Sequence, residues 1–268
     1  MNNLQRIGNS AIRFIMVHGF AITLGQYIVN EFPKSGGTWL GQMLGAALNL
    51  PFPRNTWPKF GPCIIHGHHL SCFGMRNVVV MWRDGRDVMV SWYHHCLFPN
   101  ERGNHRLVRK TRQAFDPKSP EDVRNNLPDF IEYAFERQRH FNFTWAEFVR
   151  AWHWKEDVIK TSYEALRNNT SEELDRVILE LTGMKIPKEN INHIVETFSF
   201  ARQAGRNNGL ENKRSFMRKG IIGDWKNVFN RKARETFDYY AGKELIALGY
   251  EKNHSWVVNA DKMQLEIT

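Results

Sequence analysis

"YIVNEFPKSGGTWLGQML", Tyr27 to Leu44, is the stretch on which the fold turns. Tyr27 to Phe32 is a short apolar run suited to a buried strand. From Thr38 to Leu48, Leu40, Met43, Leu44 and Ala47 recur at helical spacing. Between them lies Pro33-Lys34-Ser35-Gly36-Gly37, a strand running through glycines into a helix. Anions bind at such turns, because first-turn N–H groups have no partner within the helix and the helix dipole adds partial positive charge. The usual nucleotide loop, G-x-x-x-x-G-K-[ST], places its lysine after the glycines with a hydroxyl beside it. Here Lys34 precedes them, and Ser35 to Thr38 supply the main-chain donors. The residues alone leave two readings open, an anion site and a plain tight turn.

The same alternation continues outward from this stretch. Cys63 to Gly67 and Asn77 to Trp82 read as strands, the second β-branched and unbroken as expected when both faces are covered. A helical pattern follows Gly85. Another is expected from Ser119 as N-cap with Pro120 at the first helical position, and a third over Thr144 to Trp154. Asp157 to Tyr163 is a further strand, and the helix from Ser171 ends at Gly183 in the manner of a C-cap. Strands alternating with helices imply an α/β fold, a central parallel sheet flanked by helices. No repeat or Pro/Gly/Ser linker interrupts it, so residues 1–268 are expected to form a single domain.

With 42% hydrophobic and 24% charged residues, the composition is that of an ordinary globular protein. A net charge of +9 favours anionic partners without choosing among phosphates, sulfates and nucleic acid. Three cysteines, Cys63, Cys72 and Cys96, are an odd number without metal-ligand spacing, which fits a reducing compartment better than a disulfide framework. "AIRFIMVHGFAITLG", Ala11 to Gly25, is interrupted by Arg13 and His18 and is too short to span a bilayer. It reads as an amphipathic or buried lead-in helix, with interfacial membrane contact as the alternative.

Two further constellations carry charge. In "RDGRDVMVSWYHH", Arg83 closes the Asn77 to Trp82 strand and Ser91 follows eight residues later. An arginine fork and a hydroxyl converging from strand end and helix suit a phosphate; the other reading makes Arg83, Asp84, Arg86 and Asp87 a weakly paired surface cluster. In "FMRKGIIGDWKNVF", Arg218 and Lys219 stand beside Gly220, after a polar stretch that reads as a loop.

Taken together, these motifs resemble the sulfotransferases that use 3′-phosphoadenosine 5′-phosphosulfate (PAPS), particularly the cytosolic type. That family's 5′-phosphosulfate loop reads P-K-S-G-T-T-W, against Pro33 to Trp39 here with Gly37 in place of the first threonine. Its 3′-phosphate elements are an arginine ending a strand, a serine eight residues on in V-S-Y-Y-H, and R-K-G-x-x-G-D-W. These match Arg83, Ser91, and Arg218-Lys219-Gly220 with Gly223-Asp224-Trp225. The resemblance spans roughly residues 27 to 245 and implies a P-loop-NTPase-like sulfotransferase fold. It also implies PAPS as donor, with no metal, and sulfuryl transfer to a small-molecule alcohol, phenol or amine.

By residue-wise carry-over, Lys34, Ser35, Gly36, Gly37 and Thr38 hold the 5′ end of the donor, and Arg83, Ser91, Arg218, Lys219 and Gly220 hold its 3′-phosphate. Trp39, Tyr163 and Phe200 match the family's adenine-side aromatics. Lys34 neutralises the leaving diphosphoadenosine, restrained by Ser91 or Ser35 until the acceptor arrives. The family's base lies in K-[TS]-H-L-P after the second strand, where this chain has "IIHGHHL", Ile64 to Leu70. Alignment puts His68 at the base and His66 at the lysine, with His66 and His69 as alternative bases.

Three rival readings stand beside this one. A P-loop kinase acting on Mg-ATP would share the fold and could use Asp84 as a magnesium ligand, but the G-K-[ST] order is missing. Zinc could be held among His66, His68, His69, His94 and His95, although no acid or cysteine lies at close spacing. Nucleic-acid binding is suggested by charge alone, and no recognised motif supports it. The acceptor region is expected from Pro51 to Phe60, Tyr93 to Phe98 and Asn100 to Phe148. There Trp57, Phe141, Phe143 and Trp145 favour an aromatic alcohol, and Arg102, Arg106, Arg109 and Lys110 an anionic acceptor. Asn230-Arg231 stands where many family members carry the Thr-Val of a dimer contact. A monomer, or a dimer made elsewhere, is expected, in the cytoplasm and without membrane insertion.

Overall fold

The computed structural model describes residues 3–54, 56–57, 59–117, 119–137 and 142–258. They divide into two compact units. One is drawn from residues up to Arg83 and from Trp154–Gly205, the other from Asp84–His153 and from Arg206 onward.

The first unit holds the parallel sheet expected from the sequence, flanked by helices. Its strands are β1 (Gln26–Glu31), β2 (Cys63–Gly67), β3 (Val78–Trp82) and β4 (Ile159–Ser162), in the order β2-β1-β3-β4. All three pairings are parallel, and Glu31 lies opposite Met81 in the register. The carboxyl ends of β1 and β3 thus finish side by side, which is where ligands sit in open α/β sheets.

On one face Val29, Ile64, Val79 and Met81 pack against Leu40, Met43 and Leu44 of α2 (Gly37–Ala47). The same core takes in Leu166 of α7 (Tyr163–Asn168), Leu174, Val177 and Ile178 of α8 (Thr170–Thr182), and Ile191 and Ile194 of α9 (Lys188–Thr197). A further short helix, α10, covers Phe200–Ala204. The N-terminal lead-in is longer than read: α1 runs Asn3–Ile15 and continues through a π-helical turn, Met16–Phe20. It is amphipathic, with Met16, Val17 and Ala21 buried and Phe14, Ile15, Phe20 and Ile22 exposed.

The second unit is helical: α3 (Gly85–Leu97), α4 (His105–Ala114), α5 (Val123–Glu136), α6 (Trp145–Trp152), α11 (Trp225–Val228) and α12 (Arg231–Ala247). Trp145, Trp152, Tyr93, Phe130, Phe148 and Phe237 form its fully buried centre. Gly85 opens α3 because a side chain there would press on Phe237 and Trp145, whose atoms lie 2.7 and 2.8 Å from an added Cβ.

Two helix starts differ from expectation. α5 begins at Val123 under Asp122, because Asp122 N–H closes a turn onto the Ser119 carbonyl and the Asp122 carboxylate then accepts from Asn125 N–H. α8 begins at Thr170 rather than Ser171. Gly183 does end α8 in the left-handed region, at φ 71°, and Thr144 starts α6 through a reciprocal capping box with Glu147.

Candidate functional site

In the first unit the loop after β1 turns through two left-handed residues, Lys34 at φ 74° and Gly36 at φ 101°. For lysine that backbone is unfavourable, and such residues concentrate at ligand sites. Gly36 is also required by close approach: an added Cβ would lie 2.8 Å from Met81 and 2.9 Å from the Tyr163 ring. The Arg83 guanidinium donates to the Lys34 carbonyl at 3.0 Å and lies 4.3 Å over the Tyr163 ring. Trp39 sets its ring edge toward Tyr163 and donates its indole N–H to the Phe198 carbonyl at 2.9 Å. Two residues on, Phe200 is buried at the start of α10.

The unit thus gathers Lys34 to Trp39, Arg83 and Tyr163 around one turn. Within it the Ser35 hydroxyl is buried with no hydrogen-bond partner among the described residues. A buried polar atom without a partner is unusual and calls for a ligand or water. Thr38 lies in the first turn of α2, on the same loop.

The histidine segment ends β2 beside this turn, and a residue not foreseen from the sequence organises it. Glu31, the last residue of β1, is buried; its Oε1 accepts from His66 Nε2–H at 2.8 Å and its Oε2 from Gly37 N–H at 2.5 Å. Its backbone carbonyl accepts from His68 Nδ1–H at 2.9 Å, which leaves the His68 lone pair on Nε2. Burial raises the Glu31 carboxyl, but the His66 hydrogen bond and the neighbouring imidazoles outweigh it and hold the group below its ordinary range.

His69 is braced differently. Its N–H and C=O bond the Asn30 side-chain amide at 2.8 and 2.9 Å, and its Nδ1 meets His18 Nε2 at 3.3 Å. Burial pushes His68 down to about 3 and His69 to about 4, so both imidazoles are neutral near pH 7. Among the described residues Glu31, His66 and His68 also form a group whose candidate ligand atoms lie within 4.8 Å of one another.

In the second unit Ser91 is half-buried within α3. Arg218 and Lys219 are not solvated surface charges: their side chains are 11% and 22% exposed. Arg218 bonds the carboxylates of Glu211 and Asp224, and Lys219 Nζ donates to Asp224 at 2.6 Å. Arg218 and its companions draw the Asp224 carboxyl down to about 2 against the effect of burial. Gly220 takes a left-handed φ of 66°.

The surface-cluster reading of Asp84, Arg86 and Asp87 is corrected, since all three are buried. Arg86 lies 3.7 Å over the Trp225 ring and 4.6 Å over Trp256, and bonds Asp84 and Glu251. The Asp87 carboxylate accepts from Gly223 N–H and Trp225 N–H at 2.7 and 2.9 Å, and so holds the turn after Gly220. Asp84 caps α3 and is bound to Arg86, so it is not available as a magnesium ligand. The kinase reading has no support in this arrangement.

Two of the aromatics expected to line an acceptor region are core instead. Trp145 packs on Phe237, and Phe143 stacks on Phe148. Phe141 lies outside the described residues. Trp57 is exposed, as are Arg106, Arg109 and Lys110.

Comparison with known proteins gives a consistent result. A family model for the sulfotransferase domain matches residues 72–249, more than half of the chain. Mouse sulfotransferase 1B1 is 24% identical over an alignment of 291 positions, covering 88% of this chain and 87% of its own length. Rat sulfotransferase 1A1 is 28% identical over 268, covering 81% and 84%. The fold is similar to that of a mouse sulfotransferase complexed with PAP, at a TM-score of 0.63 and 15% identity over 86% of this chain and 88% of that one. It is also similar to retinol dehydratase in complex with androsterone and inactive cofactor PAP, at 0.54 and 16% over 86% and 83%. The family match begins after the Pro33–Trp39 loop and the histidine segment, so those residues are read from geometry and motif.

Proposed function

The chain belongs to the sulfotransferase family, and from that premise we propose that residues 1–268 act as one domain moving a sulfuryl group from PAPS to a hydroxyl or amine of a small molecule. The observation that carries the donor assignment is the Ser35 hydroxyl, buried and without a partner among the described residues, in a loop whose Gly36 packs directly against Met81 and Tyr163. Such a loop fits a 5′-phosphosulfate, which supplies a sulfuryl group joined to a phosphate leaving group. Lys34, Ser35, Gly36, Gly37 and Thr38 are assigned to that end, Gly37 by its place in the loop, since its own N–H is given to Glu31. Arg83, Ser91, Arg218, Lys219 and Gly220 are assigned to the 3′-phosphate, and Trp39, Tyr163 and Phe200 to the adenine.

His68 is assigned as the base. Its Nδ1–H is held by the Glu31 carbonyl, so Nε2 takes the proton from the acceptor hydroxyl as the acceptor oxygen bonds to sulfur and the sulfur–phosphate oxygen bond breaks. Lys34 takes up the charge that develops on that phosphate oxygen, with Ser91 or Ser35 restraining the lysine beforehand. None of these steps requires a metal. The androsterone named for the retinol dehydratase complex supports a hydrophobic alcohol as acceptor. A reducing cytoplasmic setting is assigned from the odd number and irregular spacing of the three cysteines, and no helix among the described residues is long and apolar enough to cross a membrane.

Calorimetry with 3′,5′-diphosphoadenosine in EDTA tests the donor, and a screen of alcohols, phenols and amines with labelled PAPS tests the reaction. Binding of the diphosphate without magnesium is expected, and preference for Mg-ATP would refute the reading. His68→Ala is expected to abolish transfer while leaving diphosphoadenosine binding nearly intact; retained turnover would move the base to His66 or His69.

A further inference from the structure

Among the places where the chain departs from the motifs it resembles are Gly37, where the family loop has threonine, and His66, where the family segment has lysine. Both positions touch the same side chain. Glu31 Oε2 accepts from Gly37 N–H and Oε1 accepts from His66 Nε2–H, while its main-chain carbonyl fixes the tautomer of His68. The contact with Gly37 leaves no room for a side chain, since an added Cβ would lie 2.8 Å from Glu31 Cδ and 3.0 Å from Cγ and Oε2.

Glu31 has little freedom to retreat. It ends β1, is only 3% exposed, and is held by both neighbours at once. Moving its carboxylate aside would strip His66 and the Gly37 amide of their acceptor within a buried site, and a buried polar group without a partner is costly. Histidine suits position 66 because its ring N–H reaches the carboxylate while its second nitrogen remains available on the far side of the ring.

Resting on the transfer reading above, we propose that Glu31 is a positioning residue for sulfuryl transfer, one that holds His66 and the loop amide of Gly37 together. Glycine at 37 and histidine at 66 are then two accommodations to one buried carboxylate. The absence of the family's threonine at 37 is a requirement of this arrangement and not a lost contact.

The test uses the full chain and four proteins: wild type, Glu31→Gln, Gly37→Thr and the double variant Glu31→Thr/Gly37→Thr. Diphosphoadenosine affinity is read by calorimetry, transfer with labelled PAPS and 2-naphthol, and histidine tautomers by ¹⁵N NMR. Gly37→Thr is expected to weaken the nucleotide at least tenfold, and the double variant to recover to within threefold of wild type. Glu31→Gln keeps the shape and an acceptor for Gly37, so nucleotide affinity should stay within threefold. Its kcat should fall at least tenfold, with the His66 proton moving from Nε2 to Nδ1.

Wild-type kcat in Glu31→Gln would reduce Glu31 to a space-filling role and overturn the proposal. So would undiminished nucleotide binding by Gly37→Thr, or failure of the double variant to recover. Transfer lost in EDTA and restored by zinc would overturn it differently, by making Glu31, His66 and His68 metal ligands. No nucleotide binding by the wild type would overturn the donor reading itself, and the proposal with it.

Discussion

Ser35→Ala separates a ligand-binding residue from a structural one, because the structure gives its two effects opposite signs. The Ser35 hydroxyl is buried with no partner among the described residues, so its removal leaves no group orphaned and relieves an unmet desolvation cost of about 1–3 kcal/mol. The apo protein should therefore be at least as stable as wild type. At about 2–4 °C per kcal/mol for a chain of this size, Tm should hold or rise by a few degrees. Donor binding should move the other way, since a hydrogen bond to a charged group contributes about 1.5–3 kcal/mol. At about 1.4 kcal/mol per tenfold, diphosphoadenosine affinity falls roughly 10- to 150-fold. Thermal melts of the apo protein and calorimetric titration of the nucleotide read both quantities on one sample. A Tm lowered by more than about 4 °C, or an affinity within threefold of wild type, would refute the assignment of this hydroxyl to the donor.

Arg218→Ala should weaken diphosphoadenosine binding by about 1–3 kcal/mol, and a loss of stability with unchanged affinity would count against its phosphate role. Acid should destabilise the fold earlier than carboxylate titration alone predicts. Burial depresses His68 and His94 to about 3 and His69 to about 4, whereas their unfolded rings protonate near 6.5. The unfolded state thus binds more protons below pH 6.5, so this stability is complete above 6.5 and is lost as pH falls toward 4 and 3. Denaturant melts between pH 7.5 and 4.5 should show the decline, and a flat profile there would contradict the neutral buried rings. For oligomeric state, light scattering should give a monomer, or a dimer unaffected by Asn230→Thr/Arg231→Val. Asn230 caps α12 by accepting from Ala233 N–H at 2.8 Å, and Arg231 pairs along the helix with Glu235. Conversion of a wild-type dimer to a monomer by that variant would refute this.

The sheet was legible because its strands advertise themselves locally. Val78 to Trp82 is an unbroken apolar run, and Gly36 and Gly37 stand between a short apolar run and a helical pattern. Helix starts were less legible, since Ser119, Pro120 and Asp122 all carry N-terminal signals and only the turn closed by Asp122 onto Ser119 chooses among them. α12 carries a helical signal of its own, Phe237, Ala241 and Leu245 at four-residue spacing, in a segment whose motif resemblance concerns a dimer contact. Trp145 and Phe143 looked like acceptor contacts for want of any local mark separating a core aromatic from a lining one. Glu31 could not be found at all from pattern. It is one acid in an apolar strand, and its meaning resides in His66, 35 residues away, which only the pairing of β1 with β2 brings to it.

Both groups assigned to the donor's phosphates carry internal carboxylates, and the two in the second unit, Asp224 and Glu211, differ in kind. Asp224 is 4% exposed, accepts from Arg218, Lys219 and Asn227, and is ionised down to about pH 2. It is a fixed part of the framework, and it aims both cations. Glu211 is 30% exposed and holds Arg218 alone among the assigned cations, with His94 at 3.9 Å. An arginine has five N–H donors, so a phosphate can share Arg218 with Asp224 while replacing Glu211. The two carboxylates should then act in opposite directions on nucleotide affinity. Asp224→Asn loosens the aim of Arg218 and Lys219 and should weaken diphosphoadenosine binding. Glu211→Gln removes a competitor for one guanidinium and should tighten it or leave it unchanged. Calorimetry on the two variants decides the matter, and tighter binding by Asp224→Asn would mean that the buried carboxylate opposes the phosphate instead of preparing its site.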